Sequence, residues 1–214
     1  MKMMKMMIAV PTMKTVDVEF FSSFMGMAMV GETTLAIESN SLVYQARNKL
    51  VMKALDKGAD YILWLDSDMV FDSEILPDLL KDVDDEHEFV SGIFFKRSYP
   101  TCPTILKELH WSQDDLKGVD HGCEFYEDYP KNQLFEIAGS GLACTLVRTK
   151  LITDVIDEYK MSPFTPMAGL GEDYSFCWRV AQMGRKMWCD SRVKIGHVGK
   201  VVFDEKLYLS QGKK

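Results

Sequence analysis

The chain has 214 residues, 47% hydrophobic and 27% charged, and its 25 basic against 32 acidic side chains give a formal net charge of −7. One domain of this length buries a core large enough to fold without a disulfide or structural metal, and the acidic balance argues against bulk binding to a phosphate backbone. No apolar run approaches the ~20 residues that span a bilayer. The five cysteines are scattered with no Cys-x-x-Cys pair, which excludes zinc ribbons and thioredoxin-like motifs and predicts reduced, mostly buried thiols in a cytoplasmic protein. The fifteen methionines read as core filler.

In chain order, the apolar run over 6–10 stops at Pro11, too short for a secretory leader, and predicts a first buried strand. Val18, Phe21, Met25 and Met29 recur at helical spacing over 16–29, stopping at Gly31, and predict a helix. A β-branched run over 33–37 predicts a strand. Ser39 and Ser41 are both candidate caps for a helix marked by Val43, Ala46, Leu50 and Ala54 and ended by Gly58. Residues 61–65 form a continuous apolar run, the pattern of a strand buried on both faces. A short helix over 73–80 and a strand over 89–95 follow.

The segment 98–133 breaks this alternation. It holds three of the seven prolines and two of the four histidines, and predicts a long irregular excursion covering one side of a site. A strand interrupted by Gly139-Ser140-Gly141 then runs over 137–147, with helices over 150–159 and 172–183, a loop over 162–171, and a last strand over 186–195. In the 172–183 helix, Phe176, Val180 and Met183 are expected inward. The tail beyond His197 is expected to be mobile. Strand–helix–strand alternation implies a mostly parallel sheet flanked by helices, in one domain over 1–200 with a tail at 201–214. Such sheets bind ligands beyond the carboxyl ends of their strands, which directs attention to Val10, Leu65 and Phe95.

Asp66-Ser67-Asp68 follows the most buried of these strands. Two carboxylates so close repel each other and are costly to desolvate, unless a divalent cation holds them. Carboxylate oxygens suit Mg²⁺ or Mn²⁺, which complete their shells with phosphate oxygens. The plainer alternative is a solvated turn in which Asp66 caps the next helix. Asp-x-Asp-Met69-Val70 also fits, locally, the aspartyl-phosphate phosphatases of the haloacid-dehalogenase type. Those place the motif on their first strand, whereas here two strands and two helices precede it.

Further motifs accompany it in order: Val10-Pro11-Thr12 after the first strand, Ala46-Arg47-Asn48 on the helix before the Asp-x-Asp strand, Gly171-Glu172-Asp173 opening a late helix, and Gly196-His197 closing the last strand. The ordered set resembles the GT-A type glycosyltransferases, especially the family 2-like enzymes, over roughly 6–200. The resemblance implies a Rossmann-like GT-A fold and metal-dependent transfer of a sugar from a UDP- or GDP-type nucleotide-sugar, with inversion at the anomeric carbon. It implies Asp68 as a direct ligand of Mn²⁺ or Mg²⁺, His197 as a further ligand, and Asp66 on the ribose or on the metal through water, with Ser67 between the two acids. Pro11 and Thr12 would line the nucleoside pocket, and Arg47 and Arg97 would meet the diphosphate. Asp173, beside Glu172, would be the base that deprotonates the acceptor hydroxyl. Each residue has an ordinary alternative: an exposed helix charge for Arg47, a surface histidine for His197, and acids drawn to a helix N-terminus for Glu172 and Asp173. A polysaccharide, a protein or a modified nucleobase all remain open as acceptor, and a sugar-nucleotide binder without turnover is the non-enzymatic alternative.

Overall fold

The structure, a computed structural model, describes residues 3–39, 41–114, 118–199 and 204–210. The first half contains β1 (Lys5–Pro11), α1 (Val18–Gly26), β2 (Glu32–Glu38), α2 (Val43–Lys57), β3 (Tyr61–Leu65), β4 (Met69–Val70), α3 (Ile75–Asp82) and β5 (Phe89–Ile93). The second half contains β6 (Ile105–Asp114), β7 (Gly118–Phe125), β8 (Leu134–Ile137), β9 (Gly139–Ser140), β10 (Cys144–Arg148), α4 (Thr149–Tyr159), α5 (Glu172–Gln182), β11 (Met187–Lys194), β12 (Gly196–His197) and α6 (Glu205–Ser210).

Seven strands form the central sheet in the order β2-β1-β3-β10-β5-β11-β8. β1 lies parallel to β2 and β3, and β5 parallel to β11, while β10 and β8 run antiparallel to their neighbours, so five of the seven strands point one way. Alternate residues of β1 face opposite layers, as strand geometry requires. Met7 and Ala9 join Leu50, Ala54, Trp64, Phe164 and Phe176 on one face, and Met6, Ile8 and Val10 join Phe20, Leu63, Leu76 and Leu79 on the other. Helices therefore cover both faces. Burying each large apolar side chain contributes about 1.5–3 kcal/mol. Gly58 ends α2 in the left-handed conformation expected of it, its N–H bonded to Ala54 O and Leu55 O.

Several expectations are corrected. Among the described residues, the segment 98–133 is irregular only at its ends, 98–104 and 126–133: between them β6 and β7 form a long antiparallel hairpin, and β9 extends it to a three-stranded sheet. Its inner side packs on α5 and the preceding loop, while most of its residues stay in solvent. Polar residues on both faces masked the two-residue alternation of Glu108, Leu109, His110 and Trp111.

The apolar residues at helical spacing do not mark the packed side of α1. Phe20, 4% exposed, faces the core with Phe24 and Phe71 around it, whereas Val18, Phe21 and Met25 are 73%, 54% and 68% exposed. α1 carries apolar residues on nearly every side, so periodicity had no contrast with which to choose a face. Leu42, not Ser39 or Ser41, occupies the N-cap of α2, with no side-chain cap bond. Part of the expected mobile tail is helical: α6 docks through Tyr208 against Phe95 and Tyr129, and Glu205 accepts a 2.5 Å bond from the Tyr129 hydroxyl and pairs with Lys194 at 2.6 Å. Residues 200–203 and 211–214 of that tail lie outside the described residues.

Candidate active site

The carboxyl ends of β1, β3 and β5 open on one edge of the sheet. The turn after β3 carries Asp66, Ser67 and Asp68, and the backbone sends the two aspartates to different partners. Asp66 N donates to Ala143 O at 3.1 Å, which ties the turn to the start of β10. Ser67 Oγ donates to Thr12 Oγ1 at 3.2 Å, joining the turn to the end of β1, where Pro11 is buried and Thr12 N donates to Glu38 O.

Asp66 belongs to an inner cluster. Its Oδ1 accepts from Arg47 Nη2 at 3.0 Å, and Arg47 Nε donates to Glu172 Oε1 at 3.2 Å. The Arg47 side chain is only 3% exposed, its Nη1 is buried with no partner, and its guanidinium lies 5.4 Å from the Trp64 ring centre. Arg47 is therefore not presented as the expected diphosphate contact; Asp66, its side chain 32% exposed, gives one carboxylate oxygen to it. Burial opposes the charge of Arg47, but Asp66, Glu172 and Asp173 outweigh burial and raise its affinity for the proton. Burial raises the Asp66 carboxyl above its ordinary range, and repulsion from Asp68 and Glu172 adds to this against the pull of Arg47.

Asp173 lies in the first turn of α5, where its Oδ1 accepts from Tyr174 N at 2.8 Å. Burial, aided by the charge of Glu172, pushes its carboxyl up to about 6. Gly141 lies against it: a Cβ there would sit 3.6 Å from Asp173 Oδ2 and 3.1 Å from the Phe94 ring. The backbone at Gly141 thus lies close against the acid.

Asp68 belongs to an outer cluster. β12 pairs antiparallel with β4, and Val198 N donates to Asp68 O at 2.7 Å. This brings His197 Nε2 to 3.3 Å from Asp68 Oδ2 although 129 positions separate them. The other ring nitrogen, Nδ1, lies 3.0 Å from Phe95 O; a carbonyl only accepts, so Nδ1 carries the hydrogen. Nε2 and a carboxylate oxygen then face each other, an arrangement that requires positive charge between them, either a proton or a metal ion. Arg97 Nη1 pairs with the same Oδ2 at 2.8 Å. Burial would raise Asp68, but the bond from His197 and the charges of His197 and Arg97 hold its carboxyl below the ordinary range.

Asp68 and His197 are thus brought together and Asp66 is held apart. Among the described residues no three His, Cys, Asp or Glu side chains form a metal-binding group. One carboxylate and one imidazole still fit an ion that takes its remaining ligands from phosphate and water, the usual habit of Mg²⁺.

Sequence reasoning missed the residues that fix the 162–171 loop ahead of Asp173. Asn48 Oδ1 accepts from Phe164 N at 3.1 Å, Ser175 Oγ accepts from Met167 N at 2.8 Å, and Arg179 donates to Pro163 O and Thr165 O at 3.0 and 2.7 Å. Asn48 stands next to Arg47 in the motif already singled out, which was the available signal. Of the aromatic residues in the hairpin, Trp111 packs edge-on to Trp178 and donates to Ala168 O, and Tyr126 packs on Phe135. Lys96 lies 3.3 Å from the Phe125 ring centre and Lys107 pairs with Glu124. The five cysteines are unbridged, and no helix among the described residues is long and apolar enough to cross a membrane.

No protein-family model and no curated protein matches the chain. The fold does have a counterpart. The crystal structure of A197 from STIV aligns over 92% of this chain and 86% of its own, with a TM-score of 0.63 and 16% identity. At that identity the likeness shows a shared α/β architecture with a large central sheet and nothing finer.

Proposed function

We propose that the protein is a GT-A type glycosyltransferase that moves a sugar from a nucleotide-diphosphate donor to an acceptor hydroxyl. The observation that carries this reading is the convergence of Asp68 and His197 at the sheet edge that also presents Asp173. A half-buried aspartate poised near 6 is suited to accept a proton at neutral pH. In the proposed reaction the acceptor oxygen bonds to the anomeric carbon while the bond from that carbon to the diphosphate oxygen breaks. Asp173 takes the hydroxyl proton, and the nucleoside diphosphate departs with the bonding electrons. Attack opposite the leaving group gives inversion.

Asp68 and His197 would hold Mn²⁺ or Mg²⁺, which when bound supplies positive charge for the leaving diphosphate. Thr12 and Ser67, joined across the floor, border the nucleoside side, and Arg97 is the cation best exposed toward phosphate. Arg47 serves the site indirectly: it holds Asp66 and Glu172 in place and keeps their charges from raising Asp173 further. The aspartyl-phosphate alternative is weaker, because Asp66, its nucleophile, is held by Arg47 and shifted toward the neutral form. The test is donor hydrolysis across a UDP- and GDP-sugar panel with Mn²⁺. Metal-dependent hydrolysis of one donor, abolished in Asp68→Asn, is expected. Hydrolysis of an aryl phosphate in place of any sugar nucleotide would favour the phosphatase.

A further inference from the structure

Asp68 Oδ2 is claimed twice: Arg97 Nη1 lies 2.8 Å from it and His197 Nε2 3.3 Å from it. An ion held by Asp68 and His197 would need the oxygen that Arg97 now occupies. The two arginines near the Asp-x-Asp turn differ in their ability to yield. Arg47 is 3% exposed and binds two acids, so it has nowhere else to go, whereas the Arg97 side chain is 48% exposed with a single carboxylate partner.

Arg97 also sits at the base of a loop built to present it. Lys96 N donates to Cys102 O at 2.9 Å and the Thr101 hydroxyl donates to Lys96 O at 2.5 Å. These bonds close the neck, while residues 97–100 stay exposed at the tip. A second contact of Nη1, to Val198 O at 3.3 Å, ties the guanidinium to the strand end that carries His197.

We propose that Arg97 is a tethered placeholder cation: it neutralises Asp68 in the empty site and yields Oδ2 when a divalent ion and a nucleoside diphosphate arrive together, its guanidinium then pairing with the phosphates. The Arg97 side chain is half-exposed, so water can replace its contact with Asp68 at little cost, whereas a guanidinium matches two phosphate oxygens through its planar fork. The consequence is ordered loading. Metal alone meets competition from Arg97, and metal with nucleotide does not. Arg97 is thus a counter-ion of Asp68 before loading and a phosphate-binding residue after it. The inference rests on the metal-dependent reading above, and the experiment separates the two.

Free Mn²⁺ is measured by electron paramagnetic resonance on the full chain for wild type, Arg97→Ala, Arg97→Lys and Asp68→Asn, with and without UDP or GDP; circular dichroism confirms that each variant is folded. Without nucleotide, Arg97→Ala is expected to bind Mn²⁺ about three- to fivefold more tightly than wild type, and Arg97→Lys to lie between them. With nucleoside diphosphate present the order reverses, Arg97→Ala holding nucleotide and metal more weakly than wild type. Mn²⁺ binding that needs Asp68 but is equal or weaker in Arg97→Ala without nucleotide overturns the placeholder and leaves the metal reading standing. Mn²⁺ binding that is absent from wild type and Arg97→Ala, with or without nucleotide, overturns both.

Discussion

The two aspartates of one turn, two positions apart, live in opposite environments. Asp66, its side chain 32% exposed, bonds a buried arginine that also holds Glu172, and desolvation with repulsion from neighbouring acids pushes its carboxyl up. Asp68, 20% exposed, meets a histidine and a half-exposed arginine, and its carboxyl is held down. The inner cluster has the character of a fixed scaffold, in which a buried guanidinium sets the position and charge of the acids. The outer cluster has the character of a loading site, in which a charged carboxylate is kept ready and its present partner is replaceable. Asp173, pushed up to about 6, stands on the inner side of this divide.

The comparison breaks most visibly at Asp173. In Asp173→Asn, turnover is expected to fall by about 10²–10⁴, the usual contribution of a general base, with donor affinity little changed. In the wild type, kcat/KM rises with pH through about 6 and then levels, because the base acts ionised. The stability linkage has the opposite sign. The folded carboxyl sits above its unfolded value of 3.8, so the folded state binds the proton more tightly. The contribution of Asp173 to stability is therefore present below 3.8 and lost as pH rises through about 6, and Asp173→Asn is expected to raise Tm at pH 7.

Arg47→Met comes next. Removing the charge leaves Glu172 and the partly exposed Asp66 without their cation, a loss of about 1–3 kcal/mol. Denaturant unfolding at pH 7 should show that loss, and it should shrink at pH 4 as the stranded acids protonate. A loss that is the same at both pH values would mean that Arg47 contributes packing rather than charge.

Much of this architecture was legible because the apolar run at 61–65 and the alternation around it record burial directly. The same run located Asp66 and Asp68, and the late Gly-His dipeptide located His197. What could not be read was partnership across long separations. Arg47 and Glu172 are 125 positions apart, and nothing local shows that one will neutralise the other. The hairpin over 105–125 was missed for a different reason: a strand pair largely in solvent lacks the apolar contrast that marks a core strand. α1 failed in the reverse sense, carrying too many apolar residues to mark a face.

Smaller effects sharpen the picture. Asn48→Ala leaves Phe164 N without its acceptor, and a buried donor left unsatisfied costs about 1–3 kcal/mol. Because that bond steadies the loop before α5, turnover should fall with stability, and the two losses should be separable from any change in Mn²⁺ binding. Asp68→Asn should be nearly neutral for stability at pH 7, within about 1 kcal/mol, since its partners are half-exposed or polar. Its linkage runs opposite to that of Asp173: the lowered carboxyl gives stability above its unfolded value of 3.8 that is lost as pH falls through the still lower folded value. Comparing wild type with Asp68→Asn by thermal melts between pH 3 and pH 7 checks this, the difference closing toward the acid end.

The most direct measurement is calorimetric titration of UDP and GDP into the protein with Mn²⁺ and with chelator, in wild type and Asp68→Asn. The account predicts that one nucleoside diphosphate binds wild type only with Mn²⁺ present and that Asp68→Asn, though folded, loses this binding. Failure of either nucleotide to bind under any metal condition, or equal binding by Asp68→Asn, would contradict it.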